Sequence, residues 1–117
     1  MKLNYFLAKL NSVPDQVEFN EVMHVISANY HYQPRTFSNG ALINESGSNE
    51  GSCKIFAFAK LHSLSKETTL ACFGQYYRKD VLLNPEGIDH RNIRNFIKHG
   101  WQGINFEDDF KPMLFES

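Results

Sequence analysis

The sequence is poor in cysteine, in net charge and in uninterrupted apolar runs, and each shortage excludes a class of protein. Its 2 cysteines among 117 residues are too few for a disulfide framework, and neither a CxxC pair nor a paired Cys/His zinc spacing occurs. Lys and Arg number 12 against 13 Asp and Glu, so almost no net charge is left to attract polyanions. We therefore expect a cytoplasmic protein with no nucleic-acid partner, no metal and no cofactor.

Long apolar segments are missing as well. The N-terminal stretch MKLNYFLAKL is apolar only in parts, and its asparagine and lysine residues interrupt it before it reaches the length of a signal-peptide core or a membrane span. We therefore expect no membrane partner. The stretch predicts a short amphipathic helix whose large side chains pack on the core: Tyr5, Phe6, Leu7 and Leu10.

The residues that are present are those of a globular protein, with a hydrophobic fraction of 42% and an aromatic fraction of 14%. At this length the chain fits one compact domain, residues 1–117, which is large enough to bury a core. Apolar residues at helical spacing predict a helix from Pro14 to about Asn29. The Asn39-Gly40 dipeptide favours a tight turn and predicts a small hairpin between YHYQPRTF and ALIN.

Two helices are predicted in the middle of the chain. The apolar run IFAFA, which follows the polar loop of residues 44–52, predicts a buried helix that reaches Leu61, with a strand as the alternative. Ser65 is a suitable cap for the next helix, whose apolar face continues to Val81.

The last third of the chain predicts one more helix and some extended structure. Asp89 can cap a helix that ends at Gly100. WQGINF and PMLF, on either side of an acidic turn at residues 107–109, read as short extended pieces that complete a small sheet. The fold class predicted from all these elements is α+β, mostly helical with a small β-sheet.

Cys53 is the most suggestive residue for chemistry, because it lies in or beside the first turn of the predicted buried helix. Free backbone N–H groups and the helix dipole favour a thiolate there, so a nucleophile is one interpretation. The other is a small buried hydrophobe under the polar loop, since free cysteine is among the most buried residue types. Glu50 argues against activation, because a nearby carboxylate disfavours a second negative charge.

Catalysis by a cysteine requires a histidine, and His90, at the start of the last predicted helix, is a candidate. Its alternative role is that of a residue in the helix cap. Glu45 and Glu50 are candidates for the paired carboxylates of a hydrolase. Their alternative role is structural, because the polar side chains of this loop also satisfy backbone groups in a tight turn.

Three blocks of the sequence resemble the HopJ type III effector family over about residues 15 to 106: FSNGALINESGSNEGSCKIFAFAKL, TLACFGQYYR and NPEGIDHRNIRNFIKHGW. The resemblance implies a small single-domain protein of mixed α and β structure, and export through a type III system if the family name applies. It implies no particular activity. The family's blocks match Asn44, Glu45, Asn49, Glu50, Gly51, Ser52, Cys53, Cys72, Gly74, Gln75, Tyr76, Tyr77, Arg78, His90, Asn92, Arg94, His99, Gly100 and Trp101.

These observations predict a junction at which the polar loop of residues 44–53 meets the Tyr76/Arg78 helix and the start of the His90 helix. In a binding module, this junction holds a small polar ligand or a protein partner through Asn44, Glu45, Asn49, Ser52, Tyr76 and Arg78. In an enzyme, Cys53 or the Glu45/Glu50 pair acts with His90. In a purely structural role, every one of these polar groups is satisfied internally.

Overall fold

The computed structural model describes residues 2–107 and the backbone of residues 114–116. The helices are α1 (Leu3–Ser12), α2 (Phe19–Asn29), α3 (Glu50–Leu61), α4 (Lys66–Ala71) and α5 (Arg91–His99), with a π-helix at Tyr76–Val81 and 3-10 turns at Pro14–Gln16 and Gly100–Gly103. The strands are β1 (Tyr30–Tyr32), β2 (Phe37–Asn39), β3 (Leu42–Asn44), β4 (Ile104–Phe106) and β5 (Leu114–Glu116). The predicted α+β class, mostly helical with a small sheet, is confirmed.

The sheet is antiparallel and has β2 at its centre, between β3 and β4. The predicted hairpin is confirmed: β2 and β3 are joined by a turn in which Gly40 has φ +62°, a conformation that side chains other than glycine rarely adopt. The YHY segment that we expected in this hairpin forms β1, which pairs with β5 instead. Residues 108–113, which include part of the predicted acidic turn and the start of PMLF, lie outside the described residues.

Helix α3 lies at the centre of the core, which confirms a helix rather than a strand for the IFAFA run. All five residues of this run are buried, as expected of a helix enclosed on every side. The ring of Phe56 packs against three other phenylalanine rings, at 5.8 Å from Phe37, 5.5 Å from Phe73 and 5.0 Å from Phe96 between centroids. These contacts join the sheet, the α4 region and α5 through one side chain.

The helix predicted to run from Ser65 to Val81 is interrupted, although its start is confirmed. Ser65 caps α4, because its hydroxyl oxygen accepts a hydrogen bond from the backbone N–H of Thr68 at 3.1 Å. The chain leaves the helix at Gly74, which has φ +60°, and a Cβ atom there would lie 2.5 Å from the backbone nitrogen of Phe19. The close approach of α2 therefore requires glycine and separates α4 from the π-helix.

Two predicted helix starts are wrong. Helix α2 begins at Phe19, because the segment from Pro14 forms a separate 3-10 turn. The residue before α5 is His90, and Asp89, which we expected to cap this helix, instead binds the guanidinium of Arg94 at 2.6 Å. Arg94 therefore fixes the loop that precedes α5. Because the carboxylate of Asp89 binds Arg94, it does not cap α5.

The N-terminal helix is confirmed, with one correction to its packing. Phe6 and Leu10 of α1 are buried in the core, and Leu7 packs partly against it. Tyr5, which we expected to pack there, is 68% exposed. Along the described residues, every helix is too short or too polar to cross a membrane.

Candidate functional site

An open groove with a volume of about 500 Å³ lies where three segments of the chain meet. These segments are the start of α3, the start of the π-helix and the start of α5. Of the residues singled out in the sequence, the groove brings together Asn49, Ser52, Tyr76 and His90. The remaining wall residues are Phe19, Leu42, Gly51, Phe73, Ile88, Asp89, Arg91, Asn92 and Ile93.

Both α-helices that open onto the groove begin in the same uncommon way. Asn49 before α3 and His90 before α5 have left-handed backbone conformations, with φ 50° in each case. Neither residue caps its helix with its side chain. Since the first N–H groups of a helix have no partner within it, the first turns of α3 and α5 place backbone donors at two walls of the groove.

Side-chain donors on the groove are also without protein partners. Within residues 2–107, the hydroxyl of Ser52 and the guanidinium of Arg91 make no hydrogen bond or ion pair. The nearby carboxylate of Asp89 is engaged by Arg94, whose hydrogen bond holds the pKa of that carboxyl below its usual range. The carboxylate of Asp89 is thus occupied by a protein partner, whereas the side-chain donors of Ser52 and Arg91 are available to a ligand.

A buried network of asparagines supports the groove from beneath. Asn44 is fully buried, and its Oδ1 accepts hydrogen bonds from Nδ2 of Asn49 at 2.7 Å and from Nδ2 of Asn92 at 2.9 Å. Asn39, also fully buried, donates from Nδ2 to the backbone oxygen of Asn92 at 2.8 Å. The network ties the sheet to both groove-forming helix starts. Asn44 itself, which we expected to contact a ligand, supports the wall rather than forming it.

His90 is held on the groove by three neighbours, Asp80, Asp89 and Tyr76. Its Nε2 lies 3.0 Å from Oδ2 of Asp80 and 3.8 Å from Oδ2 of Asp89, and its ring packs against Tyr76 with centroids 5.3 Å apart. Asp80 and Tyr76 both belong to the π-helix. Sequence reasoning missed Asp80, because its partner follows ten residues later beyond an irregular loop and no local pattern links the two.

Cys53 is placed differently from what a nucleophile requires. The residue is 1% exposed, its Sγ lies 3.7 Å from the backbone oxygen of Arg35, and it is not among the groove's wall residues. Burial raises the pKa of its thiol, and the charge of Glu50 acts in the same direction. A buried, protonated thiol is the geometry expected of a core residue.

Three other predicted site residues also lie outside the groove wall. Glu45 and Glu50 are exposed on the loop and on the first turn of α3. Arg78 is not among the wall residues, and its Nη2 is 3.2 Å from Oε1 of Glu18. In the part of the chain that the structure describes, no three His, Cys, Asp or Glu residues are grouped so as to hold a metal ion.

Comparison with known proteins identifies a family but no biochemical activity. The family model described as "HopJ type III effector protein" matches residues 3–110. The chain is similar to a solved structure described as the crystal structure of the unknown function protein VPA0580, with 51% identity and a TM-score of 0.95 over 100% of this chain and 95% of that one. No curated protein matches the sequence.

Proposed function

The chain belongs to the HopJ type III effector protein family, and we propose that it is a binding protein whose groove between α3, the π-helix and α5 holds a small polar ligand. The observation that carries the proposal is the convergence of Asn49, Ser52, Tyr76 and His90 on one groove from three separate segments.

The size and composition of the groove suit such a ligand. A volume of about 500 Å³ lies within the range of small-molecule sites, which combine an apolar lining with a few polar groups that fix orientation. Phe19, Leu42, Phe73 and Ile93 give the groove its apolar surface. Polar side chains on the groove include Ser52 in the first turn of α3, Tyr76 in the π-helix and Arg91 in the first turn of α5.

The free donors indicate which chemistry the ligand carries. The Ser52 hydroxyl, the Arg91 guanidinium and the first-turn N–H groups are all donors or cationic, so they complement oxygen atoms that accept hydrogen bonds. We therefore propose a ligand with a carboxylate, phosphate or carbonyl group, placed between α3 and α5. The apolar wall takes the remainder of the molecule.

Ligand-observed NMR with a defined panel of probes tests the proposal. The panel contains sodium acetate, methyl phosphate, benzoate and glycerol, each of which has carbon-bound protons, and saturation transfer from the protein reports which of them bind. We expect at least one of the three anions to bind the native protein. The Ser52→Tyr variant, which fills the groove, and the Arg91→Gln variant, which removes its free cation, should weaken this binding at least about tenfold.

The control is Ser46→Tyr, because Ser46 is an exposed loop residue outside the groove. This variant adds the same ring on the loop that precedes α3 and should bind as the native protein does. The proposal is wrong if no probe binds, or if Ser46→Tyr weakens binding as much as Ser52→Tyr while Arg91→Gln has no effect.

A further inference from the structure

We propose that His90, positioned by Asp80, is a general base that activates water toward a small carboxylic ester held in the groove. The inference rests on the proposed function, because it requires the groove to accept a small molecule with a carbonyl oxygen. It assigns a role to Asp80, which no sequence pattern singled out.

The hydrogen bond between the two residues determines which nitrogen of His90 accepts a proton. A carboxylate can only accept, so at 3.0 Å from Oδ2 of Asp80 the Nε2 atom of His90 carries the hydrogen. In a neutral imidazole the other nitrogen, Nδ1, then has a free lone pair. Among the described residues Nδ1 has no hydrogen-bond partner, so this lone pair is available to a ligand or to water.

The ring is held in place and accessible at the same time. Tyr76 packs against one face of the imidazole, with an interplanar angle of 32°, and Asp80 holds its Nε2 edge. His90 nevertheless lines the open groove, and its side chain keeps 30% of its exposure. A base that is fixed in orientation but reachable from a pocket is the arrangement that general base catalysis requires.

The proposed step is balanced in atoms and electrons. The oxygen of a water molecule forms a bond to the acyl carbon of the ester, while one of its protons moves to Nδ1 and leaves His90 as an imidazolium. Asp80 stabilises this cation through Nε2–H, as the acid does in a serine-protease triad. The bond from the acyl carbon to the leaving oxygen then breaks, and that oxygen takes the proton back from His90. The carbonyl oxygen is proposed to accept hydrogen bonds from first-turn N–H groups of α5, whose residues Arg91, Asn92 and Ile93 line the groove beside His90.

Hydrolysis of 4-nitrophenyl acetate by the full chain tests the proposal through the release of nitrophenolate. We expect His90→Gln to reduce the rate to that of buffer, and Asp80→Asn to reduce it about tenfold or more. His24→Gln is the matched control, because His24 is an exposed histidine on α2 outside the groove. This variant should hydrolyse the ester at the native rate.

Two further measurements separate positioning from a purely structural role of Asp80. Nitrogen-15 NMR of the imidazoles should show His90 with its proton on Nε2 in the native protein and a mixture of tautomers in Asp80→Asn. Asp80→Glu, which keeps a carboxylate, should retain more activity than Asp80→Asn. Equal losses in the two variants, with an unchanged tautomer, would refute the positioning role.

The result that overturns the inference differs from the one that overturns the binding proposal. If the native protein releases nitrophenolate no faster than His90→Gln, or if His24→Gln loses as much rate as His90→Gln, His90 is not a general base. If probes of the panel still bind in the groove, the proposed binding function remains supported although His90 is not a general base. If the panel fails to bind as well, both proposals fall.

Discussion

Asn44 and Asn92 form a reciprocal hydrogen-bonded pair in the interior: Nδ2 of Asn44 donates to Oδ1 of Asn92 at 3.1 Å, and Nδ2 of Asn92 donates to Oδ1 of Asn44 at 2.9 Å. The pair links the end of β3 to the first turn of α5. Because Asn49 donates to the same Oδ1, one buried amide fixes both helix starts that form the groove. The geometry of the groove therefore depends on Asn44, which is not one of its wall residues.

Replacing Asn44 with alanine should destabilise the protein by about 2–4 kcal/mol, because the buried amide of Asn92 loses its partner and the contact with Asn49 is lost as well. Urea unfolding of the variant measures the change. Asn105→Ala is the matched control, since Asn105 is also an asparagine in a strand but is exposed, and we expect a change within about 0.5 kcal/mol. Similar small losses in both variants would show that the network does not hold the groove.

The two cysteines should react alike. Cys53 and Cys72 are both buried, and burial raises the pKa of Cys72 to about 12 and that of Cys53 in the same direction. We expect iodoacetamide to modify both thiols far more slowly than it modifies free cysteine between pH 7 and 9, with fast reaction only after unfolding. Rates measured in Cys53→Ala and Cys72→Ala, each of which leaves one thiol, test this. Rapid alkylation of Cys53 in the folded protein would restore the nucleophile hypothesis.

Neighbouring residues of α1 should differ sharply in their effect on stability. Phe6 is fully buried and packs on Phe58 with ring centroids 6.1 Å apart, whereas Tyr5 is mostly exposed. Phe6→Ala should cost about 3–5 kcal/mol, and Tyr5→Ala less than about 0.5 kcal/mol, in urea unfolding. If the N-terminal segment serves only as an unfolded secretion signal, Phe6→Ala will be as harmless as Tyr5→Ala.

Stability should fall in mild acid because of His62. Its Nε2 is 2.7 Å from the hydroxyl of Tyr30, and burial lowers its pKa below the ordinary value. Well above the ordinary histidine pKa of about 6.5 the residue is neutral in both the folded and the unfolded chain and contributes no pH dependence. As the pH falls through about 6.5 the unfolded chain takes up a proton first, so the free energy of unfolding decreases by at most about 1.4 kcal/mol per pH unit.

Unfolding curves at pH 7.5 and pH 5.5 measure this loss, and a His62→Gln variant isolates it. The variant should be less stable than the native protein at pH 7.5, since it disturbs the pair with Tyr30, but it should lose less on acidification. The exposed His31, substituted in the same way, provides the comparison. An equal acid loss in the native protein and in His62→Gln would assign the effect to other groups.

Features with a local cause could be predicted from the sequence. The IFAFA run, the Asn39-Gly40 turn and the Ser65 cap each depend on neighbouring residues, and the structure confirms all three. The interruption at Gly74 could not be predicted, because its cause is the backbone of Phe19, which lies far away in the sequence. At this position a tertiary contact, rather than the helix preference of the neighbouring residues, determines where the helix is interrupted.

In the candidate site, too, features with a local cause could be predicted and features that depend on tertiary contacts could not. Asn49, Ser52, Tyr76 and His90 drew attention through residue type and position, and the groove brings them together. The pairing of Asp80 with His90 and the burial of Asn39 and Asn44 arise only when the π-helix, β2 and β3 meet α5. Arg78 was expected on the groove, but its guanidinium binds Glu18, which lies far away in the sequence, and the residue is not part of the wall.

The proposal of one ligand site in the groove is tested most directly by NMR of the backbone amides of Gly51 and Arg91, which lie on opposite sides of the groove. A nitrogen-15 labelled sample is titrated with the anion of the probe panel that binds most tightly. One ligand held between α3 and α5 predicts that both amide signals shift with the same midpoint concentration, and that neither shifts in Ser52→Tyr. Shifts at only one of the two amides, or two different midpoints, would contradict a single binding site in the groove.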